Sequence, residues 1–164
     1  MSAQATIRHE LRPGDLGFIT YLHGIHYARE WGLDTTFEPY VAGPLAEFVL
    51  KGPDAGRLWL AELKGEIVGS VALVKTGNGV GQLRWFLVTP EGRGQGLGQK
   101  LVDHALSYAR DESLTSVFLW TFDGLAAALH LYQKAGFRET ERATHDLWGR
   151  KLVEIRMDLD LSRG

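Results

Sequence analysis

The chain has no cysteine among its 164 residues. That excludes disulfides, a thiolate nucleophile and any thiolate zinc site. An excess of one charge is also lacking: 18 Lys and Arg against 20 Asp and Glu leave a formal net charge of −2. No basic run exceeds the pair Arg150 and Lys151. Nothing here draws in a polyanion, so no nucleic-acid partner is expected. Long hydrophobic runs are missing too. No apolar stretch approaches the ~20 residues that cross a bilayer, and residues 1–12 lack the apolar core of a signal peptide. The expectation is a cytoplasmic protein with no membrane partner.

What is present suits a globular protein. Hydrophobic residues make up 45% and charged residues 23%, enough apolar surface to offset the chain entropy lost on folding. The length fits one domain over residues 1–164, with a core from about 5 to 160.

Periodicity assigns the elements. Residues 5–11 alternate and read as a first strand that stops at Arg12-Pro13-Gly14. A helical pattern runs from Asp15 to Trp31, with Gly32 as its stop. Thr35 or Thr36 caps a second helix toward Leu50, and Pro44 is expected to kink or break it unless the helix begins there. Residues 57–63, 66–74 and 80–88 are strand-like and joined by glycine turns, which predicts an antiparallel meander. Leu97, Leu101, Ala105, Leu106 and Ala109 then mark one face of a third helix. Residues 116–121 read as a buried strand, Asp123 as the cap of a fourth helix ending at Gly136, and 137–147 and 151–159 as two last strands. The strand, helix, strand unit in the middle needs a parallel pair, so the fold class is α/β (α+β) with a mixed sheet.

The informative segment is 87–98, in which four glycines follow a strand and precede an amphipathic helix. Glycines let a ligand approach the backbone, and free N–H groups at a helix N-terminus attract a diphosphate. The dinucleotide fingerprint fails, because counting from Gly92 its last glycine falls on Leu97. The triphosphate loop fails as well, since no Gly-Lys-Ser/Thr triplet follows a glycine at the required spacing. What stands there is Arg93-x-x-Gly96-x-Gly98 after Val88-x-Pro90.

That pattern resembles the coenzyme A signature of the GNAT superfamily of N-acetyltransferases, and the order of elements is similar over nearly the whole chain. Leu131-Tyr132-Gln133-Lys134-Ala135-Gly136-Phe137 resembles the family's second signature, L-Y-x-x-x-G-F. One position departs: where the family often has asparagine seven residues before that tyrosine, this chain has Leu125. More loosely, Trp120-Thr121-Phe122-Asp123-Gly124-Leu125 with His23-Gly24 and Tyr27 resembles acetyltransferase halves fused to MarR-type regulators, although no winged-helix half is present.

The resemblance implies a mostly antiparallel sheet of about seven strands flanked by about four helices. It implies acetyl-CoA as co-substrate, held by Leu87, Val88, Arg93, Gly94, Gln95, Gly96, Leu97, Gly98 and Tyr132. Transfer to a primary amine would proceed by direct attack through a tetrahedral intermediate. The Val88 backbone N–H then polarises the thioester carbonyl, and Tyr132 is the general acid for the leaving thiolate. A plainer reading of Tyr132 stands beside this one: with Leu125, Ala128 and Leu129 it shares a helix face, as a core tyrosine would.

The base is not evident, because residues 80–88 hold Arg84 but no carboxylate. His23, His26, Tyr27 and Glu30 form one band on the first helix, able to line an acceptor pocket with His26 or Glu30 relaying the proton. Leu16 and Ile19 share that side, so His26 equally reads as a hydrogen-bonded core histidine. Trp31 and Trp85 can wall the same site. The histidine pair lacks an identifiable third ligand, and no metal is expected. Aromatic and histidine content over residues 21–31 favours a small-molecule amine as partner. A homodimer through sheet edges is the expected assembly. The competing function is an acyl-CoA-binding sensor or regulatory module with weak turnover, left open by Leu125 and the missing base.

Overall fold

A computed structural model describes residues 3–162; the first two and last two residues of the expected domain lie outside it. Seven strands, β1 (Thr6–Arg8), β2 (Gly56–Leu63), β3 (Glu66–Gly77), β4 (Val80–Val88), β5 (Ser116–Phe122), β6 (Arg138–Leu147) and β7 (Arg150–Asp160), form one sheet in the order β1-β2-β3-β4-β5-β7-β6. Among the described residues only β4 and β5 are parallel, and four α-helices, α1 (Asp15–Trp31), α2 (Phe37–Lys51), α3 (Leu97–Asp111) and α4 (Ala126–Ala135), flank the sheet. The meander, the parallel crossover through α3 and the mixed sheet all follow the sequence reading.

Alternation along the strands divides two cores between the faces of the sheet. Between the sheet and the α3/α4 side, Leu101 and Ala105 of α3 pack with Val71, Leu73, Leu119 and Ile155 of the strands. On the other face, Ile19 of α1 and Val41 and Leu45 of α2 pack with Leu60, Trp85 and Phe122. The five apolar residues expected on one face of α3 are all buried.

Several local expectations are corrected. Pairing of β1 with β2 ends at Arg8 opposite Leu60, well short of residue 11, because the Arg8 guanidinium turns back to the Glu10 carbonyl and to Asp15. Pro44 lies inside an unbroken α2. The ring suits helical φ and only one backbone bond is lost, while Phe37, Val41, Leu45 and Phe48 anchor the helix in the core. Thr36 holds the N-cap position of α2 without capping it, since its N–H and hydroxyl both donate to Asp34. Asp123 does not cap α4, because Leu125, two residues further on, holds the N-cap position; the Asp123 N–H ties this turn to the Val153 carbonyl of β7.

Two irregularities place the site. Opposite Val71, β4 carries two residues, Trp85 and Phe86, and Trp85 has φ +50°. This bulge is tied down by the Ser70 hydroxyl, which donates to the Trp85 carbonyl at 2.7 Å, and a bulge bends its strand. Pairing of β4 with β5 covers only Val80–Gln82 against Ser116–Phe118, and beyond it the two strands part. Elsewhere, Trp148 (φ +52°) and Gly149 (φ +86°) make the two-residue turn between β6 and β7. That turn sends the indole of Trp148 against Phe37 and Tyr40 of α2, at 5.0 and 4.9 Å between centroids. No helix among the described residues is long and apolar enough to cross a membrane.

Candidate active site

The parting of β4 from β5 opens the sheet, and two cavities occupy the opening. The larger, of about 620 Å³, runs between the end of β4, the glycine turn and α4. Leu87, Val88, Arg93, Gly94, Gly96, Leu97 and Gly98 line it, with Glu30 and Trp31 of α1 at its end. Gln95 is not part of the lining.

The backbone of this cleft is built for an anion. Gly94 and Gly96 adopt φ +83° and +68°, which only glycine takes readily, and a Cβ at either would meet no atom within 4 Å. Their main chain therefore faces open space. Gly96 is the N-cap of α3 and no side chain caps the helix. The first intrahelical bond is Lys100 N–H to the Gly96 carbonyl, so the N–H groups of Leu97, Gly98 and Gln99 have no intrahelical acceptor. Gly98 serves packing: a Cβ there would come 3.2 Å from Phe86 and 3.3 Å from Leu131. A long cleft with this N–H cluster at one end fits the diphosphate and extended arm of a coenzyme A thioester.

Arg93 stands over the turn. Its Nη1 and Nη2 reach the two Glu30 oxygens at 2.7 and 2.9 Å, and its Nε donates to the Val88 carbonyl at 3.2 Å. The Arg93 hydrogen bond holds the Glu30 carboxyl below its usual range, and Glu30 raises Arg93 in return. The Glu30 carboxylate is thus engaged by Arg93. A residue's N–H and C=O leave a strand on the same edge. Since Thr89 N–H turns to the Val68 carbonyl on β3, the neighbouring Val88 N–H turns the other way, toward the cleft.

The smaller cavity, of about 110 Å³, lies on the α1/α2 side of the opening. His23 and Tyr27 of α1, Phe37 and Tyr40 of α2, Trp85 of β4, Phe122 of β5 and Trp148 give it an aromatic wall. Arg84 and Glu154 add its charges; Arg84 stacks over the Trp85 ring at 4.7 Å, and Glu154 meets His145 at 2.5 Å. Of the expected acceptor residues, His23, Tyr27 and Trp85 meet here, Glu30 and Trp31 line the larger cavity, and His26 lines neither. Phe37, Tyr40, Thr121, Trp148 and Glu154 escaped the sequence reading. No local sequence signal marks them.

The cavities share Tyr27, Phe86, Leu125 and Tyr132. Tyr132 is 5% exposed and packs edge-on to Phe86 and Phe137 at 5.7 and 6.0 Å. Burial raises its phenol well above the ordinary range, with Tyr27 adding to the effect, so it is protonated at neutral pH and can donate. Burial likewise pushes Tyr27 up to about 12. His23 goes the other way, down to about 4, again chiefly through burial. A buried polar atom left without a partner costs about 1–3 kcal/mol. Among the described residues His23 Nε2, Thr89 Oγ1 and Thr121 Oγ1 are in that position, and the first and last belong to residues of the smaller cavity. No group of three or more His, Asp or Glu among the described residues is placed to hold a metal.

Comparison with known proteins agrees with this geometry. The pattern of the acetyltransferase (GNAT) family matches residues 25–137. An uncharacterized N-acetyltransferase of Schizosaccharomyces pombe is 33% identical over 125 residues, which cover 73% of this chain and 75% of that one. The Salmonella typhimurium protein yncA, solved with its cofactor acetyl-CoA, shares the fold at TM-score 0.78 and 20% identity, over 98% of this chain and 95% of its own. A spermidine N-acetyltransferase of Vibrio cholerae, solved with CoA and spermine, does so at TM-score 0.75 and 23% identity, over 98% and 97%. The chain belongs to the GNAT family of acetyl-CoA-dependent N-acetyltransferases.

Proposed function

We propose that this enzyme acetylates the primary amine of a small molecule by direct attack of the amine on acetyl-CoA, with the acceptor entering through the α1/α2 cavity. The observation that carries the reading is the junction of the two cavities at Tyr27, Phe86, Leu125 and Tyr132. An amine on one side of it meets a thioester on the other. The coenzyme supplies an activated acetyl group. The enzyme's own part is to align the reactants, move protons and stabilise developing charge.

In this reading the turn at Gly94 and Gly96 and the N-terminus of α3 hold the diphosphate, with Arg93 beside them. The Val88 N–H, turned from β3 toward the cleft, hydrogen-bonds the acyl oxygen. Tyr132, kept protonated by burial, gives its proton to the departing sulfur. Arg93 engages Glu30 and His26 lines neither cavity, so neither residue is placed to relay a proton from the junction. The small volume, about 110 Å³, and the ring-lined wall suit a small acceptor better than a peptide. The sheet's two edges, β1 and β6, are the surfaces for a homodimer, which sedimentation equilibrium tests.

Release of free thiol from acetyl-CoA, followed with a panel of small primary amines and peptides, tests the proposal. Turnover with small amines is expected. Tight coenzyme binding with no transfer to any amine would establish the sensor instead. Tyr132→Phe should lower kcat about 100-fold while leaving coenzyme affinity within about twofold. Unchanged turnover would remove Tyr132 from the proton path.

A further inference from the structure

His23 is 2% exposed, and its Nδ1 lies 2.9 Å from the Ile19 carbonyl one turn back on α1. A carbonyl only accepts, so Nδ1 carries the proton and Nε2 presents a bare lone pair. Tyr27 stacks on the ring at 5.9 Å and 7° between planes, which fixes its orientation. Nε2 is shut off from solvent and has no hydrogen-bond partner among the described residues, yet His23 lines the acceptor cavity. With its pKa near 4 the ring stays neutral at physiological pH. Thr121 of β5 lines the same cavity, and its Oγ1 is likewise buried without a partner among the described residues.

A fixed, neutral lone pair accepts an N–H or O–H and repels a carbonyl or carboxylate oxygen. Its depth in the cavity is also informative. Tyr27 borders both cavities, whereas His23 borders only the acceptor cavity and stands four residues, about 6 Å, further back along α1. The reacting nitrogen belongs where the cavities join. A group bonded to His23 therefore lies about one helical turn deeper.

We infer that His23 selects the acceptor: the enzyme prefers small primary amines that carry a second donor, a hydroxyl or neutral N–H, about 6 Å from the reacting nitrogen, for His23 Nε2 to accept. The framework between the two groups is apolar or aromatic, matching the wall of Phe37, Tyr40 and Trp148. The inference rests on the reading of the chain as an amine acetyltransferase given above.

The test compares kcat/KM for amines that differ only in the distal hydroxyl: tyramine against phenethylamine, and 5-aminopentanol against pentylamine. The hydroxyl-bearing member should win by about 10- to 100-fold in at least one pair, because its absence strands a buried acceptor. In His23→Phe that ratio should fall toward one, and in His23→Gln, whose amide oxygen can accept, it should be partly restored. Calorimetry with coenzyme A checks that each variant is folded. Equal rates within both pairs, or a ratio that survives in His23→Phe, would overturn the inference. So would a loss in His23→Phe that is the same for both members, which would set His23 against the reacting nitrogen instead. Should the Phe variant not fold, the imidazole 15N resonances of the wild type decide. The Nε2 signal should move when tyramine, but not phenethylamine, is added to the coenzyme A complex, and no difference sinks the idea. If another amine is acetylated while these four are not, the selectivity fails and the acetyltransferase reading stands; if coenzyme binds and no amine reacts, the latter fails.

Discussion

Gly96 takes φ +68°, a conformation that costs a side-chain-bearing residue about 1–2 kcal/mol, although a Cβ there would touch nothing within 4 Å. The penalty of a substitution is therefore one of backbone shape. Gly96→Val should keep the fold but turn the Leu97 and Gly98 N–H groups away, lowering coenzyme A affinity at least about tenfold by calorimetry; equal affinity would mean that the turn holds no diphosphate. His23 offers a second test at this scale. Its ring titrates near 4 when folded and near 6.5 when unfolded, so between those values the unfolded chain binds the extra proton. The stability contributed by the neutral ring is complete above about pH 6.5 and is lost as pH falls toward 4, on the order of 3 kcal/mol in all. Urea titrations across that window should show this slope in the wild type and a shallower one in His23→Gln.

Elements show where periodicity suffices and where local rules mislead. The α3 stripe and the strand alternations were readable because burial on one face imposes a period of 3.6 or 2 on the chain. Caps were not: the Thr36 hydroxyl is turned to Asp34, and α4 begins with Leu125 at its N-cap, two residues too late for Asp123 to serve. The proline rule failed at Pro44, where packing of the α2 stripe outweighs one missing backbone bond. That bond is recoverable: Pro44→Ala should raise unfolding stability by about 1–2 kcal/mol in urea. A decrease would mean that the ring itself holds α2 in place. The bulge at Trp85 gave no signal either, because a bulky residue with positive φ is not what the sequence of a turn or bulge normally offers.

At the scale of the molecule, the sheet has to hold open between β4 and β5 while the rest stays closed, and its fastenings lie away from the opening. One is the cluster that ties β1, the start of α1 and β2 together. Arg8 donates to both Asp15 oxygens at 2.7 and 2.9 Å and to Glu62 at 2.7 Å, and Asp15 also accepts the Arg12 N–H at 2.6 Å. Asp15 is 6% exposed, so Asp15→Asn should cost about 1–3 kcal/mol of unfolding stability without altering coenzyme affinity; a silent substitution would show the cluster to be ornamental. The order of the elements, the faces that they bury and the glycine turn were legible in the chain alone, because period, turn chemistry and glycine spacing are all written within a few consecutive residues. Tertiary packing alone set where β4 leaves β5, that Phe37, Tyr40, Thr121 and Trp148 line one cavity, and that His23 Nε2 is buried without a partner among the described residues. Those features depend on distances between segments far apart in the chain, and no window of neighbouring residues carries them.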